Sequence, residues 1–272
     1  MTRSVRPPAF RQWRLLRIVS TIELSYRSRV LYGVALIGAQ VVLVASLWSA
    51  LYGGDETVAG ANREQTVTYA VLAVLLARVR WSARFYSKDA LASRVRDGSV
   101  VYWFLRPVRP SRYVALINIG DVLYGSLWLV AGMLLATAAG AARVPDPVAF
   151  ACFLLSAAIG QAILCHLASL LDLVCFWLVV NENAKQAYRF FQDFLAGAFV
   201  PVWLFPGWLT ALSSFLPFRS TISVPASLYV GTIPAAEAVG EIGTQVLWCV
   251  VLYALVHLVW RRAARRVVLQ GG

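Results

Sequence analysis

Lysine is almost missing from this chain: two in 272 residues, Lys88 and Lys185, and neither follows a glycine. No GxxxxGK[ST] phosphate loop can therefore be drawn, and a P-loop mechanism of nucleotide hydrolysis is excluded for the chain alone. HExxH, GxSxG and DxDxDG patterns are missing too, so no motif argues for catalysis. Histidine is equally scarce, with only His166 and His257. The four cysteines (Cys152, Cys165, Cys175, Cys249) sit in apolar surroundings without a CxxC spacing. They are expected to be buried small hydrophobes rather than metal ligands. Charge itself is short: 14 % of residues, where a soluble domain carries about 25 %.

What fills the space is hydrophobic. Such residues make up 60 % of the chain, with a mean hydropathy of +0.68, which indicates a polytopic membrane protein. The first 29 residues hold seven arginines and no compact apolar segment before a small-residue cleavage site, so no signal peptide is expected.

Five apolar runs lie near 30–50, 113–139, 148–180, 190–208 and 242–260. A hydrocarbon core of ~30 Å needs about 20 helical residues, so each can span. The run at 148–180 is longer than needed and must tilt or project. A sixth, "TVTYAVLAVLLA" at 66–77, is short. Charge decides for it. If 66–80 crosses, residues 1–29, 78–112, 181–189 and the C-terminal tail share one side, and with them 22 of the 25 basic residues. Only Arg63, Arg143 and Arg219 remain outside. Such a bias is what positive-inside topology demands, with both termini cytoplasmic. The expected fold is thus all-α with six transmembrane helices. The formal charge of +12 is the basic skirt of a membrane protein facing anionic lipid, with no need of nucleic acid.

Three segments outside these spans carry information. "RLLRIVSTI" at 14–22 places Leu15, Ile18, Val19 and Ile22 at helical spacing, either an interfacial amphipathic helix or a plain basic flank. Residues 81–112 form the longest cytoplasmic loop: a helix closed by Asp97-Gly98, then "VVYWFL" at the headgroup level, then Pro107 and Pro110 turning the chain back. Residues 209–241 are external by parity. "WLTALSSFLPF", bounded by Pro206-Gly207 and by Pro217, begins with Trp208 and is too short to cross. A re-entrant hairpin returning at Arg219 is expected there, with Pro201 kinking the preceding span.

Ionisable groups inside spans are costly and often functional. His166 and Asp172 are the candidates within the fourth run, but six residues put them about 240° apart around a helix. An ion-coupled carrier or channel built on this pair is the alternative reading. Asp121 and Asp193 stand towards the inner ends of their spans, where loop arginines could pair with them. Gln161 and Asn118 are expected to hydrogen-bond between helices. A lipid-modifying membrane enzyme would need a polar cluster at one face. Asp55, Glu56, Asp146, Glu237 and Glu241 are scattered instead.

The order of these features, with "RDGSVVYWFLRPVRP" at 96–110 and "FPGWLTALSSFLPFRSTISVPASLYVG" at 205–231, resembles the permease subunits of ABC-2 type transporters, bacterial exporters with six spans per half. The resemblance implies a coupling helix in the loop after the second span, docking on a separate ATPase. Lys88, Asp89, Arg94, Arg96, Asp97 and Gly98 are the residues it would place on that surface. It further implies two ATPase subunits that bind ATP and Mg2+, no cofactor in this chain, and a second permease, identical or paralogous. The location it implies is the bacterial inner membrane, the cargo apolar or amphipathic.

Overall fold

A computed structural model describes residues 27–52, 57–58, 60–87, 110–174, 177 and 182–270. Eight α-helices carry nearly all of it. They are α1 (Arg27–Leu51), α2 (Arg63–Ser87), α3 (Pro110–Ala138), α4 (Pro147–Leu173), α5 (Glu182–Leu195), α6 (Gly207–Phe215), α7 (Ser223–Val230) and α8 (Ala235–Gln270). A two-residue antiparallel pair, β1 (Thr57–Val58) with β2 (Ala61–Asn62), lies between α1 and α2, in the register Thr57 opposite Asn62 and Val58 opposite Ala61. Segments long and apolar enough to cross a membrane lie at Val30–Leu51, Ile119–Ala138, Pro147–Leu173 and Ala236–Ala263, in α1, α3, α4 and α8.

The centre of the bundle is α2, the helix with the shortest apolar run. Its residues 66–73 are all buried, as are Leu75, Leu76 and Val79. Neighbours on several sides explain why so little apolar sequence suffices: α1, α3 and α7 pack against it. A reciprocal cap starts it. The Gln65 amide N–H donates to Asn62 Oδ1 at 2.8 Å, and the Asn62 N–H donates to Gln65 Oε1 at 3.1 Å. This is the capping-box arrangement with amide side chains, and it satisfies two of the free donors that every helix start exposes. Its buried hydroxyls are matched in turn. Tyr52 Oη and Thr66 Oγ1 lie 2.6 Å apart, Thr68 Oγ1 accepts the Arg143 N–H at 3.0 Å, and Tyr69 Oη donates to the Gly197 carbonyl at 3.1 Å.

Between helices in lipid the transfer energy gained is small, because acyl chains are as apolar as Leu72 or Ile37. Close packing and these hydrogen bonds hold the elements together. Tyr69, Leu72, Ala73 and Leu76 cluster with Phe153, Ile222, Ala226 and Tyr229, while Val71 and Leu75 cluster with Ile37, Val41 and Ala136. The outward faces of α1, α3, α4 and α8 carry Leu43, Leu47, Leu123, Leu127, Leu154 and Val250, all exposed. Apolar outside and hydrogen-bonded inside is the arrangement a bilayer favours.

Several expectations shift. The apolar run at 148–180 is not one helix, since α4 ends at Leu173. The next helix begins at Glu182, inside the segment expected as a loop at 181–189, and it stops at Leu195 rather than continuing to 208. The chain turns at Ala196-Gly197 and enters a 3-10 turn at Val202–Leu204. Pro201 therefore kinks no helix; it precedes the 3-10 turn, and its carbonyl accepts the Leu204 N–H at 3.0 Å. The last helix starts at Ala235, seven residues before the expected 242. The amphipathic segment 14–22 and the loop residues 88–109 lie outside the described residues.

Candidate functional site

The most unusual element is α5, because its polarity is inverted relative to a water-soluble helix. Lys185, Arg189 and Gln192 recur at steps of four and three, so they share one face. That face points inward. Lys185 is 1 % exposed and Gln192 3 %, and Arg189 is half-buried. Phe190 and Phe191, on the opposite side, are 56 % and 62 % exposed. Phe199, beyond the end of the helix, continues this exposed face and lies 5.7 Å from Phe190 between ring centroids. In water such a helix would be folded inside out. Burial of such charges is stable where protein groups surround them, and an exposed aromatic face is stable against an apolar medium.

Beyond α5 the chain builds a compact cap from short pieces. Gly197, at φ +78°, turns the chain so that its carbonyl meets the Tyr69 hydroxyl, with the Trp203 ring edge-on to Tyr69 at 4.6 Å. The Pro206 carbonyl accepts the N–H groups of Leu209 (2.9 Å) and Thr210 (3.0 Å), which starts α6. Ser213 then ties α6 back to α5 by donating to the Leu195 carbonyl at 2.7 Å. The face of α6 carrying Trp208, Leu212 and Phe215 stays exposed, at spacings of four and three. A 3-10 turn at Arg219–Thr221 and the whole of α7 follow, and residues 220–230 are buried without exception.

Polar groups fasten this buried segment. Arg219 Nη2 donates to Glu241 Oε1 at 2.8 Å, pinning the turn to α8. Gln245, wholly buried on α8, donates through Nε2 to the Ser220 carbonyl at 2.7 Å and to the Ser156 carbonyl of α4 at 3.3 Å. One side chain thus joins three elements. Gly160 on α4 faces the same turn, and a Cβ built there would stand 2.7 Å from the Ser220 carbonyl oxygen. At the same end of the bundle, an open cleft of about 530 Å³ runs between α1, the start of α2 and the end of α3, lined by Ser46, Ser49, Arg63, Glu64, Val67 and Gly140.

Over residues 34–271 the sequence matches the family described as ABC-2 family transporter protein. The chain belongs to the ABC-2 transporter family. No curated protein and no solved structure matches it. As an ABC-2 family member it is a component of membrane transport, of the kind that works with ABC ATPase partners.

For this ABC-2 protein the residues singled out from sequence separate into three groups. Lys88, Asp89, Arg94, Arg96, Asp97 and Gly98 lie outside the described residues. Pro206, Gly207, Trp208, Pro217 and Arg219 do fall in one unit, with different parts in it. Pro206 and Gly207 start α6, Trp208 faces outward, and Pro217 is buried just before Arg219 makes its ion pair. His166 and Asp172 are not brought together. The His166 ring contacts its own helix at the Ala162 carbonyl and lies edge-on to Tyr253 of α8, whose other side stacks on His257.

Two polar expectations are corrected. Gln161 bonds within its own helix, to the Cys165 thiol, and its buried Nε2 reaches no partner. Asp121 is fully buried, and among the described residues neither of its carboxyl oxygens has a hydrogen-bond partner, from an arginine or any other group. The side chain of Asn118 is outside the described residues. Sequence reasoning passed over Lys185, Gln192 and Gln245. The three-four recurrence of polar residues within 182–193 was the available sign for the first two; a lone glutamine inside an apolar helix was the sign for the third.

Proposed function

We propose that this chain is the membrane half of an ATP-driven exporter, paired with a second permease and served by two ATPase subunits that bind ATP and Mg2+. What carries the reading is the family match over 34–271, on a bundle with polar side chains inside and apolar ones outside. In this reading α2 and α5 cross the membrane beside α1, α3, α4 and α8, which restores six spans. Neither extra helix needs a long apolar run, since α2 is enclosed by protein and α5 turns its charges inward. Both termini and the 88–109 loop then face the cytoplasm, and the cap formed by α6 and α7 dips into the outer leaflet as a re-entrant hairpin. The setting is the bacterial inner membrane.

The cargo is apolar or amphipathic and moves from the cytoplasm or inner leaflet outward. ATP binding draws the ATPase pair together, and the loop after α2 passes that movement to the bundle. Lys88, Asp89, Arg94, Arg96, Asp97 and Gly98 form the docking surface. Energy can be transmitted only where the two states of the ATPase grip this surface differently.

Co-purification tests the assembly. Tagged chain extracted from its membrane should retain an ABC ATPase at one ATPase per permease. Substituting Lys88, Arg94 and Arg96 together by alanine should lower permease-stimulated ATP hydrolysis at least tenfold while membrane insertion is unchanged. Recovery without any ATPase, together with full transport by the chain alone, would sink the proposal.

A further inference from the structure

The last helix presents a stripe with an ordered change of polarity. Val246, Val250, Tyr253, His257 and Arg261 follow one another on α8 at steps of four, three, four and four, so they share one face. All five are exposed, Val250 at 60 % and Tyr253 at 62 %. The stripe runs beside the seam where Gln245 and Leu252 are buried against α4. From α4 the His166 ring meets Tyr253 edge-on at 5.8 Å, and Tyr253 in turn stacks on His257 at 6.3 Å, with the planes 9° apart. The three rings thus hold one another in order along the α4–α8 seam.

Val246 and Val250 are wholly apolar, Tyr253 adds a hydroxyl, His257 a ring N–H, and Arg261 a permanent positive charge. Four residues of helix advance ~6 Å, and the polar layer of one leaflet is roughly 5–7 Å deep. His257 and Arg261 therefore cover that layer when Val246 and Val250 lie in hydrocarbon. The apolar segment of α8 ends at Ala263, which sets Arg261 at its boundary. The helix runs on to Gln270, so Arg265 falls one turn beyond Arg261 in register, and no Asp or Glu follows Glu241 in the sequence. A polar tip among acyl chains is costly until something bonds it. One kind of molecule matches the whole gradient: an acyl chain, then an ester, then a phosphate.

We propose that this stripe is a binding site for an anionic phospholipid of the leaflet at the C-terminal end of α8. Arg261 takes the phosphate through charge-assisted hydrogen bonds, and the His257 ring N–H donates to a glycerol ester carbonyl. The acyl chain lies over Tyr253, Val250 and Val246. Arg262, exposed beside Arg261, adds the positive potential that favours a net negative headgroup over a zwitterionic one. The inference needs α8 in a membrane but neither the exporter reading nor an ATPase, so failure of that reading leaves this test standing.

Native mass spectrometry of the purified full chain in detergent, with any subunits it retains, tests the site against added phosphatidylglycerol or phosphatidylcholine. Wild type should retain phosphatidylglycerol at least threefold over phosphatidylcholine. Arg261→Gln and His257→Phe should each lower that retention at least threefold. Phenylalanine keeps the stack on Tyr253, so the second variant reads the ring nitrogen alone. Arg63→Gln, at an exposed arginine on the opposite end of the bundle, should leave retention unchanged, and excess inorganic phosphate should not displace the lipid. Equal retention of the two lipids, indifference to both substitutions, or displacement by phosphate would overturn the proposal. So would a disulfide between two copies of His257→Cys in a chain otherwise stripped of cysteine, which would give this face to a second permease.

Discussion

Replacing Gly160 by alanine should unfasten the cap from the bundle, and the size of the effect follows from one contact. The added Cβ would lie 2.7 Å from the Ser220 carbonyl oxygen and 3.2 Å from the Thr221 Cα, both backbone atoms. Neither can rotate away as a side chain would, so α4 and the 219–221 turn must part by several tenths of an ångström. Forcing a methyl group into a packed interior costs about 1–3 kcal/mol. The Ser220 carbonyl is also the acceptor for Gln245 at 2.7 Å, so the same shift strains that bond. Working the other way, alanine improves helix propensity over glycine by about 1 kcal/mol. Gly243→Ala on α8 isolates that term, because nothing stands within 4 Å of its Cβ position. The two variants gain the same propensity, so their difference reports the strain alone: about 1–3 kcal/mol. Denaturant unfolding of each in matched detergent, followed by tryptophan fluorescence, measures it. Equal stability of Gly160→Ala and Gly243→Ala would refute the contact on which the reasoning rests.

Two further outcomes follow from the same cap. Arg219→Gln and Glu241→Gln should each cost about 1 kcal/mol, the worth of a charge-assisted bond at partial exposure. The double variant should lose less than the sum of the two, as a double-mutant cycle in unfolding experiments would reveal. Tyr69→Phe removes the donor to the buried Gly197 carbonyl and leaves the ring packing intact, so about 1–2 kcal/mol should be lost. Faster proteolysis within 196–206 should accompany the loss.

The four apolar segments could be read from sequence because hydropathy reports contact with lipid, and α1, α3, α4 and α8 each present a broad apolar face. The method fails where a helix meets protein. α2 manages with a short apolar run because its middle, from Thr66 to Val79, is enclosed by protein and its hydroxyls are paired, and only the distribution of arginines argued for it. α5 was misread in register for a related reason. Averaged along the chain, Lys185, Arg189 and Gln192 look like a loop, and Phe190 and Phe191 look like the start of something else. Taken around the helix, they are two sides of one element. Pro206, Pro217 and Arg219 stand at the joints between the short pieces of the cap, where proline and a lone arginine constrain backbone and charge locally. Gln245 was not recognisable, because its two acceptors lie 25 and 89 residues away.

Gln245 also sets an order of events during synthesis. The cap, residues 196–230, leaves the ribosome before the glutamine that fastens it, and Ser156 of α4 has been waiting longer still. Until α8 is inserted, the Ser220 carbonyl has no donor from that helix, and Arg219 lacks Glu241. A nascent chain ending before residue 241 therefore carries the cap with its polar fastenings open. Final closure of the cap belongs to the last helix.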